Sequence, residues 1–95
     1  MSMERPASDA IRGVGFNESV TLDSRTLHVQ TEVLLRKQLM VQTTVLEGGQ
    51  VRFSCRTVCP EDITALESVR AFVEAQHKSH VQLVILGEAP WLAST

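Results

Sequence analysis

The sequence predicts a two-layer α+β domain, a four-stranded antiparallel meander with one long C-terminal helix packed on one face, and three observations predict it. From Phe16 to Cys55 apolar and polar residues alternate with period two, as strands with one buried face require. Turn-forming residues break that alternation at Asp23–Thr26, at Leu35–Lys37 and at Glu47–Gly49. Beyond Pro60 the apolar spacing becomes helical.

The elements follow in order. Residues 1–14 mix charge, Ser, Pro and Gly without periodicity and read as a flexible arm ahead of a single domain over 15–87, with a tail at 88–95. In the first strand Phe16, Glu18, Val20 and Leu22 share a face. In the second, Leu27, Val29, Thr31 and Val33 point one way and His28, Gln30 and Glu32 the other. The third sets Leu39, Val41, Thr43 and Val45 opposite in facing to Met40, Gln42, Thr44 and Leu46. In the fourth, Val51, Phe53 and Cys55 are expected on the buried face. That expectation favours a three-residue hairpin loop, with Leu46 opposite Gln50, Val45 opposite Val51 and Thr43 opposite Phe53, and Gly49 left-handed. Pro60 suits the first turn of the helix, and Glu61 and Asp62 complement its dipole. Ile63, Leu66, Val69, Val73, His80 and Val84 then form an apolar stripe, which Gly87 and Pro90 end. His80–Leu86, rich in β-branched residues, also fits a strand; the reading adopted is helix to about Leu86.

Composition bounds the function. Apolar residues make up 43% and charged residues 21%, ordinary for a globular chain, and the net charge is −2, poor for sequence-independent nucleic-acid binding. No apolar run approaches the ~20 residues of a membrane span. The opening MSMERPASDA has no apolar core of a secretory signal, so a cytoplasmic setting and reduced thiols at Cys55 and Cys59 are expected.

Two groups of residues could carry function. On the outward sheet face, His28, Gln30, Glu32, Gln42, Thr44, Arg52 and Arg56 form either a solvated surface or a recognition platform. The expected registers set His28 near Thr44, Gln30 near Gln42 and Glu32 near Met40, with Arg52, Ser54 and Arg56 next in line. On the helix and tail, Gln76, His77 and His80 read as satisfied rim or core groups or as a polar seam between copies. Val81, Ile85 and Trp91 would join them at an interface, unless Trp91 and Leu92 fold back onto the core. No metal or cofactor is expected: Cys55 and Cys59 followed by His77 and His80 do not have a zinc-finger spacing. Gly48–Gly49 is a hairpin turn, not a phosphate loop. No complete catalytic constellation is present, so no enzymatic activity is expected.

Three of these segments resemble a family of short bacterial proteins, found mainly in deltaproteobacteria such as myxobacteria. The likeness rests on His28-Val29-Gln30-Thr31-Glu32, on the hairpin T-x-V-x-x-G-G-x-V at 43–51, and on Gln76-His77-Lys78. It covers about residues 26–86. The chain departs from the pattern at Arg56–Cys59 and at Val81–Leu86. That family has no established activity, so the resemblance implies a fold and no mechanism. The function expected is a non-enzymatic protein-interaction or adaptor module in a cytoplasmic bacterial assembly or signalling pathway, probing a protein partner and forming a homodimer. The alternative is a single-stranded nucleic-acid-binding domain of the four-strand-plus-helix dimer type, as in whirly proteins, a likeness of architecture alone.

Overall fold

A computed structural model of the chain describes residues 8–94, with side chains described for 10–92. Strands β1 (Gly15–Leu22), β2 (Arg25–Leu35), β3 (Leu39–Glu47) and β4 (Gln50–Val58) form one antiparallel sheet in chain order. A short helix α1 (Ser8–Arg12) precedes it, and helix α2 (Leu66–Ile85) and a 3-10 turn at Pro90–Ser94 follow. The meander and the long C-terminal helix are those read from the sequence. Helix α2 lies over β1, β2 and, less closely, β3.

The inward positions of β1, β2 and β3 are the expected ones. Leu27 and Val29 are fully buried and Val45 is 1% exposed, with Val81 and Val84 of α2 packed in their cluster, while Val69 and Val73 pack with Val33 and Val41. Two registers differ from expectation. Gln30 pairs with Thr44 and Glu32 with Gln42, so His28 sits opposite Leu46 rather than Thr44. This slip of two residues leaves every side chain on its expected face, so alternation is blind to it. The Gly48–Gly49 hairpin closes with two residues, Glu47 opposite Gln50, and both glycines have positive φ. An irregularity between Val45 and Leu46 then absorbs Arg52, and Phe53 falls opposite Val45 and Cys55 opposite Thr43. The bulge corrects the three-residue loop: it satisfies both the primed turn that suits Gly-Gly and the inward facing of Phe53. Val51, ahead of the bulge, is therefore 60% exposed and not in the core.

The helix begins at Leu66, not Pro60. Pro60 to Ile63 make one isolated turn, closed by the Ile63 N–H to the Pro60 carbonyl at 3.1 Å, and Ala65 is extended. The chain uses this stretch to cross from β4, at one edge, to a helix seated over β1 and β2. At its far end the helix includes His80–Ile85. It stops with Gly87 at φ 68, whose N–H donates to Val84 while the Glu88 N–H donates to Leu83. The tail folds back: Ala89 and Leu92 are buried and Trp91 stacks on Phe53, centroids 6.0 Å apart.

Residues 1–7 of the expected arm lie outside the described residues. Its later part contributes to the core, for α1 inserts Ile11 (2% exposed), and Val14 (1%) follows it. These two apolar residues three apart were the signal, hidden among Ser, Asp and Gly.

Candidate functional site

The interior is divided. One apolar cluster gathers Ile11, Val14, Val33, Leu39, Val41, Cys59, Val69 and Val73; the other gathers Val20, Leu27, Val29, Val45, Val81, Val84, Ala89 and Leu92. Between them runs a polar belt. Phe16, Thr31, Thr43 and Cys55 are direct neighbours across the four strands, all inward. Above this row lie His77 and His80 of the helix.

His77 is 1% exposed. Its Nε2 is 2.9 Å from Glu18 Oε1 and its Nδ1 is 2.8 Å from Thr31 Oγ1, which is 3.2 Å from Thr43 Oγ1. The inventory of donors fixes the directions for a neutral ring. A carboxylate only accepts, so Nε2 carries the proton; Nδ1 then accepts from the Thr31 hydroxyl, which accepts in turn from Thr43. The Phe16 ring stacks on His77 at 5.5 Å. Thr31, His77 and Glu18 have the connectivity of a hydroxyl–imidazole–carboxylate relay, but the hydroxyl end is 2% exposed and only Glu18, 52% exposed, meets solvent. No substrate reaches the hydroxyl, and the relay satisfies buried polar groups.

The second pair is Cys55 and His80, Sγ to Nε2 3.4 Å. Burial pushes the Cys55 thiol up, outweighing the Thr43 backbone hydrogen bond that acts the other way. Burial, and after it the nearby His77, hold His80 below the usual histidine range. Both shifts favour neutral partners, the opposite of the thiolate–imidazolium couple of a cysteine nucleophile. Cys59 is 1% exposed in the first cluster. Among the described residues no group of three or more His, Cys, Asp or Glu is placed to hold a metal ion.

The outward face of the sheet is different in kind. No described element covers it. Its central row is Asn17, Gln30, Thr44 and Ser54, flanked by the row Gly15, Glu32, Gln42 and Arg56. Arg56 Nε donates to Gln42 Oε1 at 2.9 Å, and Gln42 Nε2 to Thr44 Oγ1 at 3.3 Å. His28 pairs with Ser19, Nδ1 to Oγ 2.9 Å. A shallow depression lined by Asn17, Ser19, His28 and Gln30 lies at the β1 side. Arg52 leaves this row at the bulge, its Nη1 3.6 Å from Glu47 Oε1. Glu47 is already held by both arms of Arg25, at 2.8 and 2.9 Å, and that hydrogen-bonded guanidinium lowers its carboxyl below the usual range.

Of the expected site residues, the structure thus groups His28, Gln30, Glu32, Gln42, Thr44 and Arg56 on one open surface. It separates the helix set. His77 and Val81 (6% exposed) belong to the core, which corrects the apolar stripe centred on His80. Gln76 and His80 are half-buried on the β4 flank, Gln76 3.5 Å from the Thr57 hydroxyl. Trp91 is half-buried in the fold-back, and only Ile85 (51%) remains openly exposed. Sequence reasoning missed Glu18, Thr31 and Thr43 as partners of His77. One signal was present, a carboxylate on the apolar side of β1.

The fold and its surfaces define a two-layer, open-faced α+β domain with a satisfied polar interior. The chain matches no protein-family model, no curated protein and no solved structure.

Proposed function

We propose that the protein is a non-enzymatic interaction module of the cytoplasm, contacting a protein partner through the outward sheet face and forming a homodimer. The observation that carries this reading is a contrast. The chemically capable groups of the interior bond one another, while a four-stranded face rich in amide, hydroxyl and charged groups has no covering element among the described residues. Each such row offers paired donors and acceptors at strand spacing, suited to a partner's polar surface. Exposed Ile85 and Leu86 at the end of α2 supply apolar area for the second copy. The resemblance to the short bacterial proteins fits a shared architecture: Thr31 of the first matching segment bonds His77 of the third.

Single-strand binding is the weaker reading. Base stacking needs aromatic rings on the binding face, whereas Phe16, Phe53 and Trp91 lie on the helix side of the sheet and Phe72 on the helix itself.

Affinity capture from native lysate tests the proposal, comparing the wild type with a chain carrying Gln30→Ala, Glu32→Ala and Arg56→Ala. These side chains are exposed, so the fold is retained. A protein held by the wild type and lost by the variant is expected. Identical capture by both would refute the outward face as the contact. Light scattering at tens of micromolar should report a dimer, and a monomer would remove the homodimer.

A further inference from the structure

Strand β4 is an edge. Among the described residues its only sheet neighbour is β3, so one side of its backbone has no strand to pair with. Helix α2 is seated toward the other edge, and it meets β4 only through its flank. Thr57 touches Gln76, Cys55 touches His80, and Phe53 lies under His80 and beside Trp91. The inward side chains of β4 are accordingly half-buried where those of β2 and β3 are buried. At the upper end of this flank is an apolar pocket of about 60 Å³, walled by Phe53, Leu83, Val84, Pro90 and Trp91. Leu83, at its rim, is 36% exposed.

We propose that the β4 edge binds an extended peptide segment of a protein partner, in which small aliphatic residues alternate with acidic ones. The inference rests on the interaction-module reading and names a site and a partner chemistry for it. Three features set that chemistry. An unpaired strand edge selects an extended backbone, which adds as a fifth strand through main-chain hydrogen bonds. Alternate side chains of such a strand face the helix flank, and the pocket beside Leu83 has room for one small aliphatic group there. The remaining side chains face outward beside β4, where Arg56 lies and where the strand carries no acid. Arg56 spends one N–H on the neutral Gln42, whereas Arg52 turns at the bulge toward Glu47, a carboxylate already bound by Arg25. Arg56 therefore keeps its positive charge for an acidic neighbour.

The 95-residue chain is titrated with two synthetic nonapeptides, one alternating Glu with Val and Leu, the other identical but with Lys for Glu. Trp91 is the only tryptophan, and it lines the pocket, so its emission reports occupancy directly. The acidic peptide should saturate the signal and bind roughly tenfold or more tighter than the basic one. Arg56→Glu, an exposed position, should reverse that preference. Leu83→Asp should abolish binding, with far-ultraviolet dichroism unchanged as the control on folding. Equal binding of the two peptides, no binding of either, or binding indifferent to Leu83→Asp would overturn the inference. The outward-face capture experiment, repeated with a Gln30→Ala/Glu32→Ala chain that keeps Arg56, separates the two proposals. If it finds a partner and neither peptide binds, the edge site alone is wrong; if the peptides bind as expected, the edge stands whatever that experiment shows.

Discussion

Replacing His77 by leucine and Thr31 by valine, singly and together, measures what the internal hydrogen bond contributes apart from the space its partners fill. Both residues are buried, 1% and 2% exposed, and their bond is 2.8 Å long. His77→Leu keeps most of the volume but takes the acceptor from the Thr31 hydroxyl and the donor from Glu18. Glu18 is half exposed and rebonds to water, so the cost falls on Thr31. A buried hydroxyl left unsatisfied costs about 1–3 kcal/mol. The lower end applies if the Thr31 proton turns to Thr43, 3.2 Å away. Thr31→Val leaves the imidazole Nδ1 buried without a donor, and a similar loss of about 1–3 kcal/mol is expected. Against a total of roughly 5–15 kcal/mol for a small domain, either loss is plain in a urea denaturation curve. The double variant has neither of these two orphans, and the Thr43 hydroxyl, which loses Thr31 in the single and the double variant alike, cancels from the comparison, so the cost should fall short of the sum by about 1–2 kcal/mol. Additivity within about 0.3–0.5 kcal/mol would refute the claim that these groups satisfy one another.

Other outcomes follow from neighbouring groups. His80 is held below its unfolded value, so the unfolded chain takes up that proton more readily; stability is full above about pH 6.5 and falls as pH drops through the folded value. The stability difference between wild type and His80→Gln should therefore shift against the wild type between pH 7 and 5, and a flat difference would contradict it. Glu47 is depressed by Arg25, so its contribution is complete above about pH 4 and is lost as pH falls through the folded value. Melting temperatures of wild type and Glu47→Gln should differ at pH 7 and draw together as pH falls below about 4. Gly49→Ala places an L-residue at φ 80 with open space around its Cβ, so the cost is conformational, about 1 kcal/mol by thermal unfolding. Gly48→Asn should cost less, since Asn accepts the left-handed region.

The sheet was legible because alternation in β1–β3 is nearly unbroken, and one buried face dictates that pattern. Register was not, because a two-residue slip of β2 against β3 buries the same side chains. The bulge at Arg52 lay beyond reach for a related reason: a two-residue turn and an inward Phe53 each looked incompatible with the other until one residue was set aside. His77 sits between Gln76 and Lys78, and the sequence reads it as a satisfied rim or core group or part of a seam between copies, without naming its partners. Those partners, Thr31 and Glu18, lie 46 and 59 residues away, so nothing local identifies them. Val81 shows the same limit, since the stripe through His80 and the stripe through His77 share Val69, Val73 and Val84. Ile11 and Val14 were masked by polar neighbours, and only contact with Val33 and Val73 makes them core.

The central claim is that the interior polar groups serve the fold and the outward face serves contact. One comparison tests it: the dissociation constant of the captured partner for wild type, for the His77→Leu/Thr31→Val chain, and for the Gln30→Ala/Glu32→Ala/Arg56→Ala chain. The account predicts an unchanged constant for the first variant and weakening of about tenfold or more for the second. The reverse pattern, with affinity lost through His77 and Thr31 and kept without the outward side chains, would contradict it.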